Sequence, residues 1–324
     1  MSLPGDLSAA VAAWLAANPP PANRREASAA LSATYRAGGS SQALDLASYL
    51  VARLPATYAA VSRVLAELAA RRPGFAPESL LDAGSGPGTA SWAATAIWPD
   101  LGRVTFLDTA PAFLKLAADL SRHGGEALRR AEARAGSIET AGRGPQADLV
   151  IAAYALAELP LPKAGQLAEE LWRASGSVLV LVEPGTPQGF ARIRAARAAL
   201  LARQAVPVAP CPHAADCPIM GEDWCHFSVR LARSRAHMHA KGARVPFEDE
   251  RFAYLIMARD GVASGGGRII APPQHMKPGS RFRLCTQGRI EERLIARRDG
   301  ALYKQAGKLD WGDLMPPAPQ EDAP

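Results

Sequence analysis

Ten residues constrain the fold of this chain more than any others: Leu-Leu-Asp-Ala-Gly-Ser-Gly-Pro-Gly-Thr, residues 80–89. The stretch begins as an apolar strand and ends in three glycines spaced two apart, and an alanine-rich helical run, Ser91 to Ile97, follows. Because glycine has no Cβ, the backbone can turn sharply there and a ligand can approach it closely. The stretch predicts a strand, a glycine turn and a helix N-terminus that together bind a nucleoside-bearing ligand. An ordinary turn between a strand and a helix would look similar.

The spacing of the glycines narrows the choice of ligand. A dinucleotide fingerprint, G-x-G-x-x-G, would need a third glycine at position 89, which is Thr89. The run is instead D-x-G-x-G-x-G, and it resembles motif I of the class I S-adenosylmethionine (SAM) methyltransferases. That resemblance implies that SAM is bound by the motif residues Asp82, Gly84, Gly86 and Gly88.

Composition predicts a globular protein with a sizeable core. The chain has 324 residues, of which 48% are hydrophobic and 21% are charged. No apolar run reaches the roughly 18 residues that span a membrane, and the N-terminus lacks the basic leader of a signal peptide. We therefore expect a cytoplasmic, monomeric protein without a membrane partner.

Strand and helix patterns alternate after residue 75, which predicts an α/β fold with a parallel sheet. The expected architecture is a class I SAM-methyltransferase Rossmann-like sheet with an N-terminal helical cap and a cysteine-rich metal-binding insertion. Its predicted units are a helical region (1–75), a SAM-binding core (76–206), the cysteine-rich insertion (207–250), C-terminal strands that complete the fold (251–313) and a disordered tail (314–324).

Further site residues are predicted from the ends of the strands. The second strand, Arg103 to Leu107, ends at Asp108, which can accept both ribose hydroxyls of a nucleoside or cap the next helix. Residues 128–135 read as helical, and 135–138 as a weak strand end, where Ser137 and Ile138 would meet the adenine. The fourth predicted strand is followed by Tyr154 and Glu158, the two candidates for catalysis. Tyr154 could instead be a wall of the pocket, and Glu158 a solvent-facing helix residue.

Positive charge is concentrated in two regions of a chain whose 37 basic residues outnumber 31 acidic ones. Residues 190–204 carry four arginines and no acid, and residues 281–308 carry eight basic and three acidic residues. Such patches suit nucleic acid. They would equally form a solvated helix face and a solvated strand.

Four cysteines form a second candidate site, spaced C-x5-C-x7-C with a fourth after 59 further residues: Cys211, Cys217, Cys225 and Cys285. In a cytosolic protein such a set indicates a metal or catalysis before disulfides. Zinc ribbons favour tight C-x2-C pairs, so the loose spacing favours a [4Fe–4S] cluster. His213 and His226 keep a mixed Cys/His zinc site open.

Together these motifs resemble the ribosomal small-subunit methyltransferase-like family, which has bacterial members and a mitochondrial one required for small-subunit assembly. The similarity covers residues 44–313 and rests on LLDAGSGPGT, LVEPGTPQGF, CPH…DCP…DWCHFSVRL…FEDERFAYLIMAR and the segment RFRLCTQGRIEERLIARRDGALYKQAGKLDWGD. It implies a SAM site that includes Gly84, Gly86, Gly88 and Asp108, a [4Fe–4S] cluster held by Cys211, Cys217, Cys225 and Cys285, and association with small-subunit rRNA in ribosome assembly or translation.

The sequence leaves the reaction open. The methyl group of SAM is already electrophilic, so alignment of a nucleophile matters more than a base. No N/D-P-P-Y/F run follows the fourth strand, and the cysteines that cytosine C5 methylation would need are assigned to the cluster. The chain is therefore expected to be either a methyltransferase of rRNA or a non-catalytic RNA-binding assembly factor with a retained SAM pocket.

Overall fold

The computed structural model describes residues 2–19, 45–234, 237–238 and 244–316. Residues 20–44 of the predicted helical region and most of the predicted disordered tail lie outside these residues. No helix in the described ranges is long and apolar enough to cross a membrane.

Three helices of the described residues precede the sheet: α1 (Gly5–Ala17), α2 (Leu46–Ala52) and α3 (Leu54–Arg71). The Asp45 carboxylate caps α2 by accepting the N–H of Ser48 at 2.8 Å, and Pro55 lies in the first turn of α3, where its missing N–H costs nothing. The apolar side of α3 packs against the main sheet and the helix after the glycine turn. These helices therefore lie against one face of the sheet.

The main sheet has eight strands: β1 (Ser79–Ala83), β2 (Arg103–Asp108), β3 (Glu132–Ala135), β4 (Ala147–Ala153), β5 (Ser175–Pro184), β6 (Val206–Ala209), β7 (Phe227–Ala232) and β8 (Phe247–Ala258). Their order is β3-β2-β1-β4-β5-β8-β6, with β7 also paired to β8. The first five strands run parallel, and β8 runs antiparallel to β5. The predicted α/β fold is confirmed, with a mixed sheet.

Helices cover both faces of the main sheet, so β1, β4 and β5 are almost wholly buried and carry continuous apolar runs. The covering helices that follow the glycine turn are α4 (Thr89–Ile97), α5 (Pro111–Ser121), α6 (Glu126–Arg129), α7 (Ala164–Ala174) and α8 (Pro187–Ala202).

The prediction of a helix at 128–135 is wrong. Only the short α6 is helical, and residues 132–135 form β3, which pairs in parallel with β2. This strand lies at the edge of the sheet with most of its side chains exposed, so it lacks the apolar run that identifies a buried strand. The predicted strand end at 135–138 is also displaced, because β3 stops at Ala135 and Ile138 begins a 3-10 turn.

Of the predicted C-terminal strands, β8 completes the first sheet, whereas the strands after it form a second, five-stranded sheet. Its strands are β9 (Gly267–Ile269), β10 (Gln274–His275), β11 (Gly279–Thr286), β12 (Arg289–Ala296) and β13 (Leu314–Met315). Strands β11 and β12 form an antiparallel hairpin. Helix α9 (Ala301–Ala306) packs on the hairpin, and the sheet has its own small core of Ile269, Phe282, Leu284 and Ile295.

Candidate functional site

A cavity of about 360 Å³ opens at the carboxyl ends of β1, β2 and β4. Ligands of open α/β sheets bind at this edge. The cavity brings together seven of the predicted site residues: Gly84, Gly86, Asp108, Ser137, Ile138, Tyr154 and Glu158. It is also lined by Tyr49 of the N-terminal helices and by residues that the sequence did not indicate, among them Phe113, Glu139 and Leu159. Only their position next to the glycine turn reveals them.

The glycine turn is tied to the second strand. The N–H groups of Gly84 and Ser85 both donate to the carbonyl of Leu107, at 2.7 and 3.1 Å. Gly84 has φ +70°, and a Cβ there would lie 2.6 Å from the Cβ of Ala155. Both the backbone conformation and the space therefore require glycine at this position.

A Gly84→Ala variant tests this requirement. We expect its free energy of unfolding to fall by about 2–4 kcal/mol, since a left-handed backbone and an overpacked site are both penalised. Denaturant unfolding measures it. Gly74→Ala is the matched control, since no heavy atom lies within 4 Å of the added Cβ, and it should change stability by less than about 0.5 kcal/mol. Equal losses in the two variants would contradict the packing argument.

Two predicted cofactor contacts, Asp82 and Gly88, support the turn from behind and do not line the cavity. The Asp82 carboxylate is 1% exposed and accepts the backbone N–H and the hydroxyl of Ser91, at 3.0 and 2.8 Å. Burial raises the pKa of Asp82 to about 7. A Cβ at Gly88 would lie 2.9 Å from the ring of Phe106. The D-x-G-x-G-x-G motif thus combines residues that face the cavity with residues that build it.

Asp108 serves both purposes. One carboxylate oxygen accepts the N–H of Gly86 at 2.8 Å, and the other accepts the N–H of Ala110 at 2.8 Å. Ala110 is the N-cap residue of α5. Asp108 therefore supports the start of this helix from a position two residues before the N-cap. Each carboxylate oxygen has a second lone pair, so the side chain can still accept hydrogen bonds from a ligand in the cavity that it lines.

Tyr154 is held in a buried network at the cavity wall. Its backbone has φ +62°, which is rare for a residue with a Cβ. The hydroxyl donates to Glu250 at 3.0 Å, and the guanidinium carbon of Arg53 lies 5.1 Å from the ring centre. Burial, with the charge of Glu250, raises the pKa of Tyr154 well above its usual value of 10. At neutral pH the Tyr154 hydroxyl therefore donates a hydrogen bond and does not act as a base.

The loop that carries Glu158 is anchored by a buried pair on the main sheet and α8. Glu183, at the end of β5, accepts the N–H of Leu156 at 3.0 Å. Arg192 donates to the carbonyls of Ala157 and Leu159, at 3.4 and 3.2 Å. Arg192 is only 7% exposed, so this part of the predicted basic patch is neither a nucleic-acid surface nor a solvated helix face.

Burial raises the pKa of Glu183 to about 8, with the charge of Arg192 acting in the opposite direction. The unfolded chain ionises near 4.5, so between pH 4.5 and 8 it binds fewer protons than the folded chain. Stability should therefore fall as the pH rises through this window, by at most about 1.4 kcal/mol per pH unit for one proton.

A Glu183→Gln variant should have a flatter stability curve between pH 5 and 8, since glutamine keeps the acceptor and cannot ionise. Urea unfolding at several pH values measures the slope, and the exposed Glu78→Gln is the control. Asp82 contributes a slope of the same sign to every variant, so the difference from wild type isolates Glu183. Identical slopes in Glu183→Gln and wild type would contradict the assignment.

All four cysteines line a second cavity, which is bordered by α8. Cys211 and Cys217 lie in the loop after β6, Cys225 immediately precedes β7, and Cys285 lies on β11. Cys285 is buried and the other three are half-buried. His213 Nε2 is 3.4 Å from the sulfur of Cys285, whereas His226 stacks on Trp224 and does not line the cavity.

Buried arginines fix the cysteine loop. Arg197 donates to the carbonyls of His213 and Ala215, at 2.8 and 2.7 Å. Arg268 is paired with Cys285 in the second sheet and donates to the carbonyl of Pro210 at 2.7 Å. Both guanidinium groups line the cysteine cavity. Arg197, like Arg192, is thus an internal residue of the predicted basic patch.

The four thiols are chemically suited to bind a metal, but their arrangement is not that of a single-ion site. Burial raises the pKa of Cys211 and Cys225, and raises that of Cys285 to about 12, and the charges of neighbouring thiolates act in the same direction. A bound metal cation reverses this by deprotonating its thiol ligands. Within the described residues, no three Cys, His, Asp or Glu side chains form a group that could hold a metal ion.

The strand order, the glycine turn and the cavity at the carboxyl edge define a class I methyltransferase-type fold. The family profile described as mitochondrial small ribosomal subunit Rsm22 matches residues 43–316. The chain belongs to the Rsm22 family.

Two curated relatives are similar to this chain. The human mitochondrial ribosome assembly protein METTL17 is 34% identical over 290 residues, which cover 83% of this chain and 62% of the human protein. The mitochondrial Rsm22-cox11 tandem protein 2 of Schizosaccharomyces pombe is 27% identical over 323 residues, covering 83% of this chain and 42% of the yeast protein. The chain thus spans less than two thirds of either relative, and its predicted cytoplasmic location stays a prediction.

Solved structures with a similar fold are methyltransferases of low identity. The magnesium protoporphyrin IX methyltransferase of Synechocystis, solved with S-adenosylhomocysteine, is 16% identical, with a TM-score of 0.43 over 73% of this chain and 97% of that one. The precorrin-6y C5,15-methyltransferase of Geobacter metallireducens is 17% identical, with a TM-score of 0.40 over 61% and 88% of the two chains.

Proposed function

We propose that this chain is a SAM-binding protein that acts on the small ribosomal subunit during its assembly, and that its four cysteines hold a [4Fe–4S] cluster. The observation that carries the SAM assignment is the single cavity shared by Gly84, Gly86, Asp108 and Ile138. Membership of the Rsm22 family supports the small-subunit partner.

The lining of the cavity suits the parts of SAM. Asp108 would accept the ribose hydroxyls, and Ser137 and Ile138 would border the adenine. The glycine turn would leave room for the methionine portion beside Tyr49, whose hydroxyl oxygen lies 3.6 Å from where a Cβ of Gly86 would be. The sulfonium of SAM is a cation, and aromatic faces and carboxylates both attract cations. Tyr49, Phe113 and Glu158 provide these groups.

Three observations support the cluster. Four cysteines line one cavity, two buried arginines lie beside them, and the loose sequence spacing favours a group larger than one ion. Thiolates around a cubane of four irons need not converge as they would on a single ion. When bound, the cluster would cross-link the cysteine loop to the second sheet. With all four irons ligated by cysteine, a structural role is favoured over radical SAM chemistry.

Methyl transfer to small-subunit rRNA is the second candidate function. The observation that favours it is Glu158, whose carboxylate lines the same cavity as the glycine turn. Tyr154 would position the substrate or the cofactor and would not take a proton, because its hydroxyl is committed to Glu250.

One experiment separates the two functions. Protein purified anaerobically is incubated with methyl-labelled SAM and immature small subunits, and label in rRNA is counted. We expect association with the subunits in either case. Label that is lost in Glu158→Gln, and kept in the control Glu78→Gln, would establish methyl transfer. Tight SAM binding without label would leave the assembly role alone, and no association with the subunits would overturn the proposal.

A further inference from the structure

Exposed positive charge gathers at one end of the hairpin β11–β12. The register pairs Gly279 with Ala296 at the open end of the hairpin and Cys285 with Ile290 near its turn. Six exposed basic side chains surround the open end and the adjoining helix α9, and we name them the basic end: Lys277, Arg281, Arg297, Arg298, Lys304 and Lys308.

The basic end differs from the rest of the hairpin in its lack of counter-charges. Nearer the turn, Arg283 pairs with Asp223, and Arg289 and Arg293 share Glu291. Among the described residues, none of the six side chains of the basic end lies within 4 Å of a carboxylate. The cationic run of residues 281–308 is thus divided by the fold into paired and unpaired charges.

The acids nearest in sequence to the basic end are engaged with the backbone. Asp299 accepts the N–H of Ala296 at 2.7 Å, and Asp310 accepts the N–H of Trp311 at 2.7 Å. Neither forms an ion pair within the described part of the chain. Unpaired, exposed, same-sign charge at this density repels itself and attracts a polyanion. In the other cationic region, 190–204, Arg192 and Arg197 are excluded by their burial, and the exposed Arg203 is paired with Glu169.

We propose that the basic end binds the phosphate backbone of small-subunit rRNA. This inference rests on the proposed function, and it assigns the RNA contact to the second sheet. Arg281, the basic-end residue nearest to Cys285 along β11, lies four residues from it, which is about 13 Å at roughly 3.3 Å per residue. Charge variants of the basic end are therefore remote enough from the cysteine cavity to leave its metal content unchanged.

The test compares two triple variants with the same change in net charge. Arg281, Arg297 and Arg298 are replaced by glutamine in the first. The control replaces Arg122, Arg130 and Arg289, which are exposed and paired with Asp119, Glu126 and Glu291. Filter binding of a small-subunit rRNA transcript is measured between 50 and 250 mM KCl, and iron content and circular dichroism verify folding.

We expect the first variant to bind at least tenfold more weakly at low salt, and the slope of log K against log[salt] to fall by roughly 2. The control should keep most of the wild-type slope. Wild-type affinity and slope in the first variant would overturn this surface but leave the rRNA partner. Absence of rRNA binding by the wild type would overturn both. Loss of small-subunit association with rRNA binding intact would identify an acidic protein partner and overturn the RNA assignment.

Discussion

A Cys225→Ser variant is expected to lose its metal and more than about 4 kcal/mol of stability. The four thiols come from the loop after β6, the segment just before β7 and strand β11, so a cluster bound by them would join the main sheet to the second sheet. Metal-binding free energy of this kind is folding free energy. A serine leaves three ligands and a cavity whose buried arginines lack the negative charge they would face in the loaded protein.

The measurement is iron content with visible absorption and denaturant unfolding, all under anaerobic conditions. His213→Gln is the informative companion, since His213 lies 3.4 Å from the sulfur of Cys285. A four-cysteine cluster should survive that substitution, whereas a Cys/His zinc site would lose its metal. Colourless wild-type protein with stoichiometric zinc would contradict the cluster, and full iron content in Cys225→Ser would contradict the ligand assignment.

An Arg268→Met variant should lose about 3–5 kcal/mol of stability, the cost of breaking a buried ion pair. The guanidinium of Arg268 is almost fully buried and lies 2.8 Å from Glu67 of α3. It also donates to the carbonyls of Pro210, at 2.7 Å, and Gly312, at 2.6 Å. Methionine fills the space but leaves a carboxylate and two carbonyls without these partners. One side chain thus joins the N-terminal cap, the cysteine loop and the C-terminal segment.

The control for Arg268 is Arg71→Met. Arg71 contacts the same carboxylate at 2.9 Å but is partly exposed, so its loss should cost less than about 1 kcal/mol. Burial opposes ionisation of Glu67, yet Arg268 and Arg71 together lower its pKa. The ion pair therefore stabilises the folded chain fully above the ordinary pKa of glutamate. This stabilisation disappears as the pH falls through the lowered pKa of Glu67. Urea unfolding at pH 7 and below pH 4 measures both effects. Equal losses in the two variants would contradict the argument.

The parts of the fold that sequence predicts are those in which local pattern and tertiary environment agree. Strands β1, β4 and β5 are covered on both faces, so they carry apolar runs, and the glycine turn has a conformation that favours glycine. The edge strand β3 has no such pattern, because only one side of it is paired and its side chains are mostly exposed. Its mixed composition reads equally well as a helix.

The residues of the candidate site that the sequence predicted are those that follow the carboxyl ends of the predicted strands. The glycine turn and Asp108 belong to one strand–helix–strand unit, so their spacing identifies them. Tyr154, Arg53 and Glu250 come from three distant segments and meet only in the folded chain. Arg192 and Arg197 of α8 were wrongly counted in an exposed basic patch for the same reason. Their acceptors are carbonyls of loops that are distant in sequence. The sequence gives no sign that these loops will bury a guanidinium group.

Titration calorimetry of the purified chain with SAM tests the central claim most directly. Wild-type protein and the control Gly74→Ala should bind SAM and S-adenosylhomocysteine saturably at one site per chain. Gly84→Ala should lose this binding, since its Cβ would displace the loop at Ala155 that borders the cavity. Absence of SAM binding by folded wild-type protein, or equal binding by Gly84→Ala, would contradict the assignment of the cavity.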